Sequence, residues 1–336
     1  MSEKDEILTN KGLILICITS GAILIVGLIL LGLGYNEAFY SSNSGVRAIF
    51  EIITFTGEPE FFIILMVILF IVYDKRFTKN LIASLLLSVF TFSILKNIFQ
   101  DPRPSTNISN EEEYGMIETD YGFPSGHAQN AVIIWGYTAY EFKDKSKPYI
   151  VPVILSVLIF LNAISRIIIG VHDLQDIIGG LIIGVGFLIA FMYLEPKFSE
   201  KISTLNLSMK IILTVAVSVS LFLIGTLLFP TAGLELIENP PKYSDAGYYA
   251  IVGGASLGFF VAYVLENEYV NYQPSELKNK QKIFNLILGL VVVLILFLIF
   301  RLLIHGNVVL RFIRYALLSF IMIFFMPLIF TKINRK

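Results

Sequence analysis

Three short stretches of an otherwise apolar chain concentrate residues able to handle an anionic group. Lys96 and Arg103 stand seven apart in KNIFQDPRP, where Pro102 and Pro104 flank the arginine and stop the preceding helix from continuing. Ser125, Gly126 and His127 follow Pro124 in YGFPSGHAQN, at the start of an apolar run. Arg166, His172, Asp173 and Asp176 lie in SRIIIGVHDLQD, between two strongly apolar segments. Arginine offers planar, bidentate donors to phosphate oxygens, and lysine adds a point charge. A Gly-containing helix start presents backbone N–H groups and a positive dipole end, which suits phosphate. His172 and Asp176 are four apart and so share a helical face. The carboxylate can then accept the imidazole Nδ1–H and leave Nε2 to attack, as in a nucleophile held by an orienting partner.

The elements that must position these residues are membrane helices. Of the 336 residues, 56% are apolar and 15% charged, and the mean hydropathy is +0.76. Apolar runs near the ~20 residues needed to cross a bilayer recur throughout, so the expected fold class is all-α, a polytopic membrane protein. Helices are expected near 13–33, 56–73, 81–99, 125–142, 149–167, 171–194, 207–229, 247–265, 283–304 and 311–331. The approach to the second, FEIITFTGEPEFF, carries Glu51, Glu58, Pro59 and Glu60, and part of it is expected along the membrane interface. The long apolar run after an acidic N-terminus, with no small-residue cleavage signal, reads as a retained first helix.

Lysine and arginine fix the orientation. With a cytoplasmic N-terminus, the Lys-rich loops DKRFTK, KDKSK and ELKNKQK and the C-terminal KINRK all fall on the cytoplasmic side. Both termini are then cytoplasmic, and the three polar stretches lie together at the extracytoplasmic ends of helices three to six. A change of character near 195–206 divides the chain into a core over 1–195, holding all the candidate chemistry, and four plain C-terminal helices over 196–336.

Other features read as ordinary. Cys17 is the single cysteine, which leaves no internal disulfide and no multi-Cys metal site. Glu111–Glu113 read as a solvated loop face, and Asn107-Ile108-Ser109 as a sequon in an exposed loop. His305, beside Gly306 and without a partner motif, reads as an interface residue, and Asp173 as a surface charge. Gly180-xxx-Gly184 and Gly254-xxx-Gly258 allow close helix contact, expected within the monomer.

A single arginine or histidine at a membrane helix end is usually interfacial, but the whole set has a definite pattern. Lys96-(six residues)-Arg103-Pro104, Pro124-Ser125-Gly126-His127 and Ser165-Arg166-(five residues)-His172-(three residues)-Asp176 resemble, in order and internal spacing, the three signature motifs of the type-2 phosphatidic acid phosphatase family. The setting YGFPSGHAQNA is most similar to the prokaryotic branch resembling sphingosine-1-phosphate phosphatases. The resemblance covers roughly helices one to six and implies a six-helix phosphatase core; it does not explain the about four additional C-terminal transmembrane helices that the apolar runs predict. It implies His172 as nucleophile, forming a phosphohistidine, with Asp176 holding its tautomer. His127 would be the general acid and then the base that activates water. Lys96, Arg103 and Arg166, with Ser125 and the Gly126 amide, would hold the phosphoryl oxygens, so that no metal and no cofactor is required.

The implied activity is hydrolysis of a lipid phosphate or diphosphate at the outer leaflet of the plasma membrane. Candidate substrates are a phosphatidate-like lipid, a sphingoid-base phosphate, phosphatidylglycerophosphate and a polyprenyl diphosphate. A soluble sugar phosphate stays open, because glucose-6-phosphatase carries similar motifs. The partners are the lipid substrate and the bilayer, with no nucleic acid. Two alternatives stand beside it: a phosphotransferase using the same histidine, and a non-catalytic lipid-phosphate binder or transporter. An intact His127, His172 and Asp176 favour catalysis, since a binder needs cations but no nucleophile.

Overall fold

A computed structural model describes residues 10–36, 39–107, 120–142, 150–229, 248–304 and 307–334. Among them the regular structure is entirely helical. The helices are α1 (Asn10–Gly32), α2 (Ser44–Phe55), α3 (Pro59–Tyr73), α4 (Lys75–Phe99), α5 (Gly126–Phe142), α6 (Ile150–Ile168), α7 (Leu174–Ser203), α8 (Leu207–Leu228), α9 (Tyr248–Tyr269), α10 (Asn279–Leu303) and α11 (Val308–Asn334). A helix occupies each of the ten expected segments. Among the described residues seven are long and apolar enough to cross a membrane, and the α2–α3 pair, bent by 45°, makes an eighth if it is one broken span. Several neighbouring helices are thus suited to the bilayer, and the protein is an integral membrane protein. His305 and Glu111–Glu113 lie outside the described residues.

Helix α2 departs from the sequence expectation. Residues 44–55 form a regular helix, capped by the Asn43 side chain accepting from the Val46 amide, and it packs on α6. Arg47 is only 2% exposed, and its guanidinium donates to the Ile169 carbonyl at 2.9 Å.

The chain divides into two compact units. The first holds residues 1–61 and 94–198, the second residues 62–93 and 199–336. In the first, α5 is the central helix, with Ala128 through Gly136 all buried. Nine consecutive buried residues leave no face of this stretch to solvent or lipid. Helix α7 reaches it through glycine: a Cβ on Gly180 would stand 2.5 Å from the Ser125 carbonyl oxygen, and one on Gly184 3.0 Å from that of Gln129. The second helix to pack on α5 is α6, which buries Leu155, Ile159, Asn162, Ala163 and Arg166, a stripe at helical spacing.

In the second unit α9 packs on both α8 and α11. Any Cβ on Gly254 or Gly258 would collide with the backbone of α11 at Phe312 or Ala316, so this small-residue pair seals a contact within the chain. This unit holds a core of Phe70, Ile71, Phe259, Met322 and Phe330 and a buried ion pair, Lys75 Nζ to Glu266 Oε2 at 2.7 Å.

Candidate active site

The elbow between α6 and α7 begins as a glycine-closed helix end. Gly170 has φ +79°, a left-handed conformation open to glycine at no steric cost. Its amide bonds to the Ile167 carbonyl at 2.9 Å, and the Val171 amide reaches back to that of Arg166 at 3.1 Å. These paired bonds make a Schellman closure, which turns the chain back so that His172 N also meets the Arg166 carbonyl at 3.2 Å. The five-residue spacer between Arg166 and His172 is therefore a geometric requirement. Side chains then pin the outward carbonyls: Arg47 donates to Ile169 O, Thr106 to Gly170 O at 2.7 Å, and Arg103 Nη1 to Val171 O at 2.8 Å.

Asp173 opens α7, and here the surface-charge expectation is corrected. Its Oδ1 accepts from the Asp176 amide at 3.0 Å, and Asn36 Nδ2 donates to its Oδ2 at 2.8 Å. It is a half-buried N-cap, a position that favours Asp because the first amides of a helix lack internal acceptors. Asp176, three residues on, is fully buried. Its Oδ2 lies 2.8 Å from His172 Nδ1 and 3.4 Å from the Asp173 amide.

The other face of His172 meets the first stretch. Arg103 Nη1 lies 3.0 Å from His172 Nε2. With Nδ1–H donating to Asp176, Nε2 is the acceptor of that contact. Burial, then the positive charges of Arg103, Lys96, Arg166 and His127, hold the His172 imidazole well below its ordinary value of 6.5. A neutral ring with a fixed tautomer results.

Both cations of the first stretch share one carboxylate that the sequence reading missed. Asp120 Oδ2 lies 3.1 Å from Lys96 Nζ, Asp120 Oδ1 pairs with Arg103 Nη2, and Arg103 Nε donates to the Asp120 carbonyl at 2.9 Å. Lys96 Nζ also reaches the carbonyls of Tyr121 and Gly122. Buried charges need such partners. Asn107, expected in an exposed loop, is 3% exposed, so the sequon reading fails at its first residue.

The second stretch enters through the start of α5. Ser125 is fully buried; its amide donates to the Asp176 carbonyl at 3.0 Å and its hydroxyl accepts from the Ala128 amide at 3.4 Å. This ties the start of α5 to the start of α7, with Gly126 as the first helical residue. His127 Nε2 lies 3.1 Å from Glu58 Oε1, and Arg166 Nη1 lies 3.7 Å from the same oxygen. Arg166 Nη1 donates in addition to Thr54 Oγ1 at 3.1 Å. Glu58 is the second carboxylate missed from sequence, where it was grouped with the interfacial acids. The available signal was Gly57-Glu58-Pro59, a helix-breaking triplet inside an apolar run.

The structure thus gathers Lys96, Arg103, Ser125, Gly126, His127, Arg166, His172 and Asp176 in one unit. Two histidines, three cations and a carboxylate thus share one unit, a set whose charges suit an anionic group.

Comparison with known proteins identifies the family. Residues 77–200 match the PAP2 superfamily, and residues 250–336 match the transmembrane extension of PAP2 superfamily phosphatases. Every expected site residue falls within the first segment, while Glu58 precedes it. The chain is 26% identical over 184 residues to lipid phosphate phosphatase delta of Arabidopsis thaliana, covering 51% of this chain and 41% of that protein. It is 35% identical over 91 residues to phosphatidylglycerophosphatase B of Bacillus subtilis, covering 25% and 42%. To the lipid A 4'-phosphatase of Porphyromonas gingivalis it is 31% identical over 143 residues, covering 38% and 59%. The chain thus spans between 41% and 59% of the length of these relatives. With two segments matched in order, and with an intramembrane helical scaffold around them, the chain belongs to the PAP2 superfamily, as a PAP2 domain followed by that superfamily's transmembrane extension.

Proposed function

We propose that the protein is a membrane-embedded phosphatase that hydrolyses lipid phosphates or diphosphates on the extracytoplasmic side through a phosphohistidine at His172. The observation that carries this reading is the bonding of one buried imidazole: Asp176 at Nδ1, 2.8 Å away, and a guanidinium rather than a carboxylate at Nε2, 3.0 Å away. Such a ring is neutral, oriented and aimed at a cationic seat. Nε2 attacks phosphorus as the bond to the leaving oxygen breaks, and His127 supplies the proton that oxygen gains. Water, deprotonated by His127, then releases phosphate from Nε2. Lys96, Arg103 and Arg166 stabilise the charge on the phosphoryl oxygens, the dominant catalytic contribution in phosphoryl transfer, and no metal is needed for it.

The named relatives act on phosphate groups borne by lipids of different structure, which supports a phosphate-bearing lipid as the substrate class. We place the phosphatase core at residues 1–195 and an extension at 196–336. The Lys-rich loops support cytoplasmic termini, and we place the protein in the plasma membrane.

The test is phosphate release by detergent-purified protein from a panel of lipid monophosphates and diphosphates, with and without EDTA. Release that resists EDTA and disappears in His172→Ala is expected; release that survives the substitution, or that requires a divalent ion, contradicts the mechanism. Orientation is tested by an impermeant thiol label on Ser105→Cys in a Cys17→Ser background, because Ser105 is exposed whereas Asn107 is buried. Labelling of intact cells is expected, and labelling only after lysis would reverse the topology.

A further inference from the structure

The break between α2 and α3 carries a feature that the three family-like stretches do not explain. Residues 56–58 interrupt the helix, and the chain bends by 45° there. Each residue of the break engages the site. Asn162 Nδ2, from α6, donates to Thr56 Oγ1 at 2.8 Å. Gly57 lies so close that a Cβ would stand 2.5 Å from His127 Cδ2 and 2.8 Å from Asn162 Oδ1. Glu58 then places one carboxylate oxygen 3.1 Å from His127 Nε2 and 3.7 Å from Arg166 Nη1. A carboxylate held between a histidine and an arginine by a packed, hydrogen-bonded turn is a built contact.

We propose that Glu58 is a positioning residue of the reaction, forming with His127 a second carboxylate–histidine pair that orients the ring and sustains its proton-donating form beside Arg166. This rests on the phosphatase reading above. Glu58 accepts from Nε2–H, and Nδ1 carries the proton that is transferred. In the first half-reaction the bond from His172 Nε2 to phosphorus forms, the bond to the leaving oxygen breaks, and that oxygen takes the proton from His127 Nδ1. In the second half-reaction Nδ1 takes a proton from water as the water oxygen bonds to phosphorus and the bond to His172 Nε2 breaks. The charged and titratable groups near His127 include Glu58 on the break, Arg166 at the end of α6 on the same carboxylate oxygen, and His172 on the elbow. The two latter groups disfavour a positive ring when they are themselves charged, and Glu58 is the compensating anion.

The experiment compares wild type, Glu58→Gln and Glu58→Asp in detergent, with a lipid monophosphate as substrate. It measures kcat, KM, the pH profile of kcat, thermal stability and the amount of phosphoenzyme trapped by an alkaline denaturing quench. General acid–base catalysis as a whole supplies about 10²- to 10⁴-fold, so Glu58→Gln is expected to lower kcat by about 10- to 100-fold. KM should stay within about threefold, and the alkaline limb should move to lower pH because the proton-donating form has lost its anion. Glu58→Asp should restore part of both effects. An unmoved alkaline limb with lowered thermal stability would overturn the inference and leave Glu58 as scaffold. A lowered KM with kcat unchanged or raised would also overturn it, showing a carboxylate that merely sits in the phosphoryl seat. Phosphoenzyme in wild type with either of those results sinks the role of Glu58 alone, whereas no phosphoenzyme in wild type removes the phosphatase mechanism with it.

Discussion

His172 and His127 each meet a carboxylate, and the two pairs are built in opposite ways. His172 and Asp176 come from one turn of chain, four residues apart, and both are buried, at 3% and 0% exposure. His127 and Glu58 are 69 residues apart, brought together only by the packing of the α2–α3 break on α5 and α6, and the Glu58 side chain is 33% exposed. The local pair is set by the elbow before α7 and the N-cap at Asp173, with the elbow carbonyls held by Arg47, Thr106 and Arg103. Burial among cations keeps its ring neutral, the state that a nucleophile needs. The distant pair lies nearer to solvent, where a charged ring costs less. One chain thus uses burial to hold one imidazole neutral and a tertiary contact to supply the other with an anion.

The largest effect should come from breaking the local pair. Asp176→Asn keeps the shape but favours the wrong tautomer of His172, and an orienting aspartate of this kind is worth about 10⁴-fold in kcat. A fall of about 10³- to 10⁴-fold in phosphate release is expected; a loss under tenfold would show that the contact does not orient the nucleophile. Breaking the distant pair, by Glu58→Gln, should cost less, about 10- to 100-fold, and a larger loss than that of Asp176→Asn would invert the comparison.

A third effect is smaller and concerns charge alone. The chain has three histidines, so selective ¹⁵N-histidine labelling resolves their ring titrations. The His172 ring should stay neutral well below pH 6.5, and Arg103→Gln should move its titration upward, since the Arg103 charge helps to depress it. The sign for stability follows: below about pH 6.5 the unfolded chain binds a proton that the folded chain refuses, so this residue's contribution to stability falls as pH drops. An unchanged titration in Arg103→Gln would contradict the contact at Nε2.

How much of this was legible in the sequence depended on sequence distance. The His172–Asp176 contact was expected from a spacing of four, although His172 stands on the elbow just before α7, and the role of Gly170 in the Arg166–His172 spacing emerged only from the structure. Ten helical segments followed from apolar runs, because the bilayer demands long ones. The partners of the cations did not follow. Asp120 is 17 residues from Arg103 and Glu58 is 69 from His127, and no periodicity links such pairs. Asp173 was read as a surface charge because a charge near a helix end usually is one, and Arg47 carried no local signal. Here Arg47 satisfies an elbow carbonyl and Asp173 caps α7, backbone demands that become visible only once the elbow is built.

The most direct measurement is the position of the phosphoryl group during turnover. Protein quenched while hydrolysing a ³²P-labelled lipid phosphate should carry an acid-labile, alkali-stable label, which mapping assigns to His172 and which is absent from His172→Ala. Label on another residue, or turnover by His172→Ala without any label, would contradict the central claim that this buried imidazole is the nucleophile.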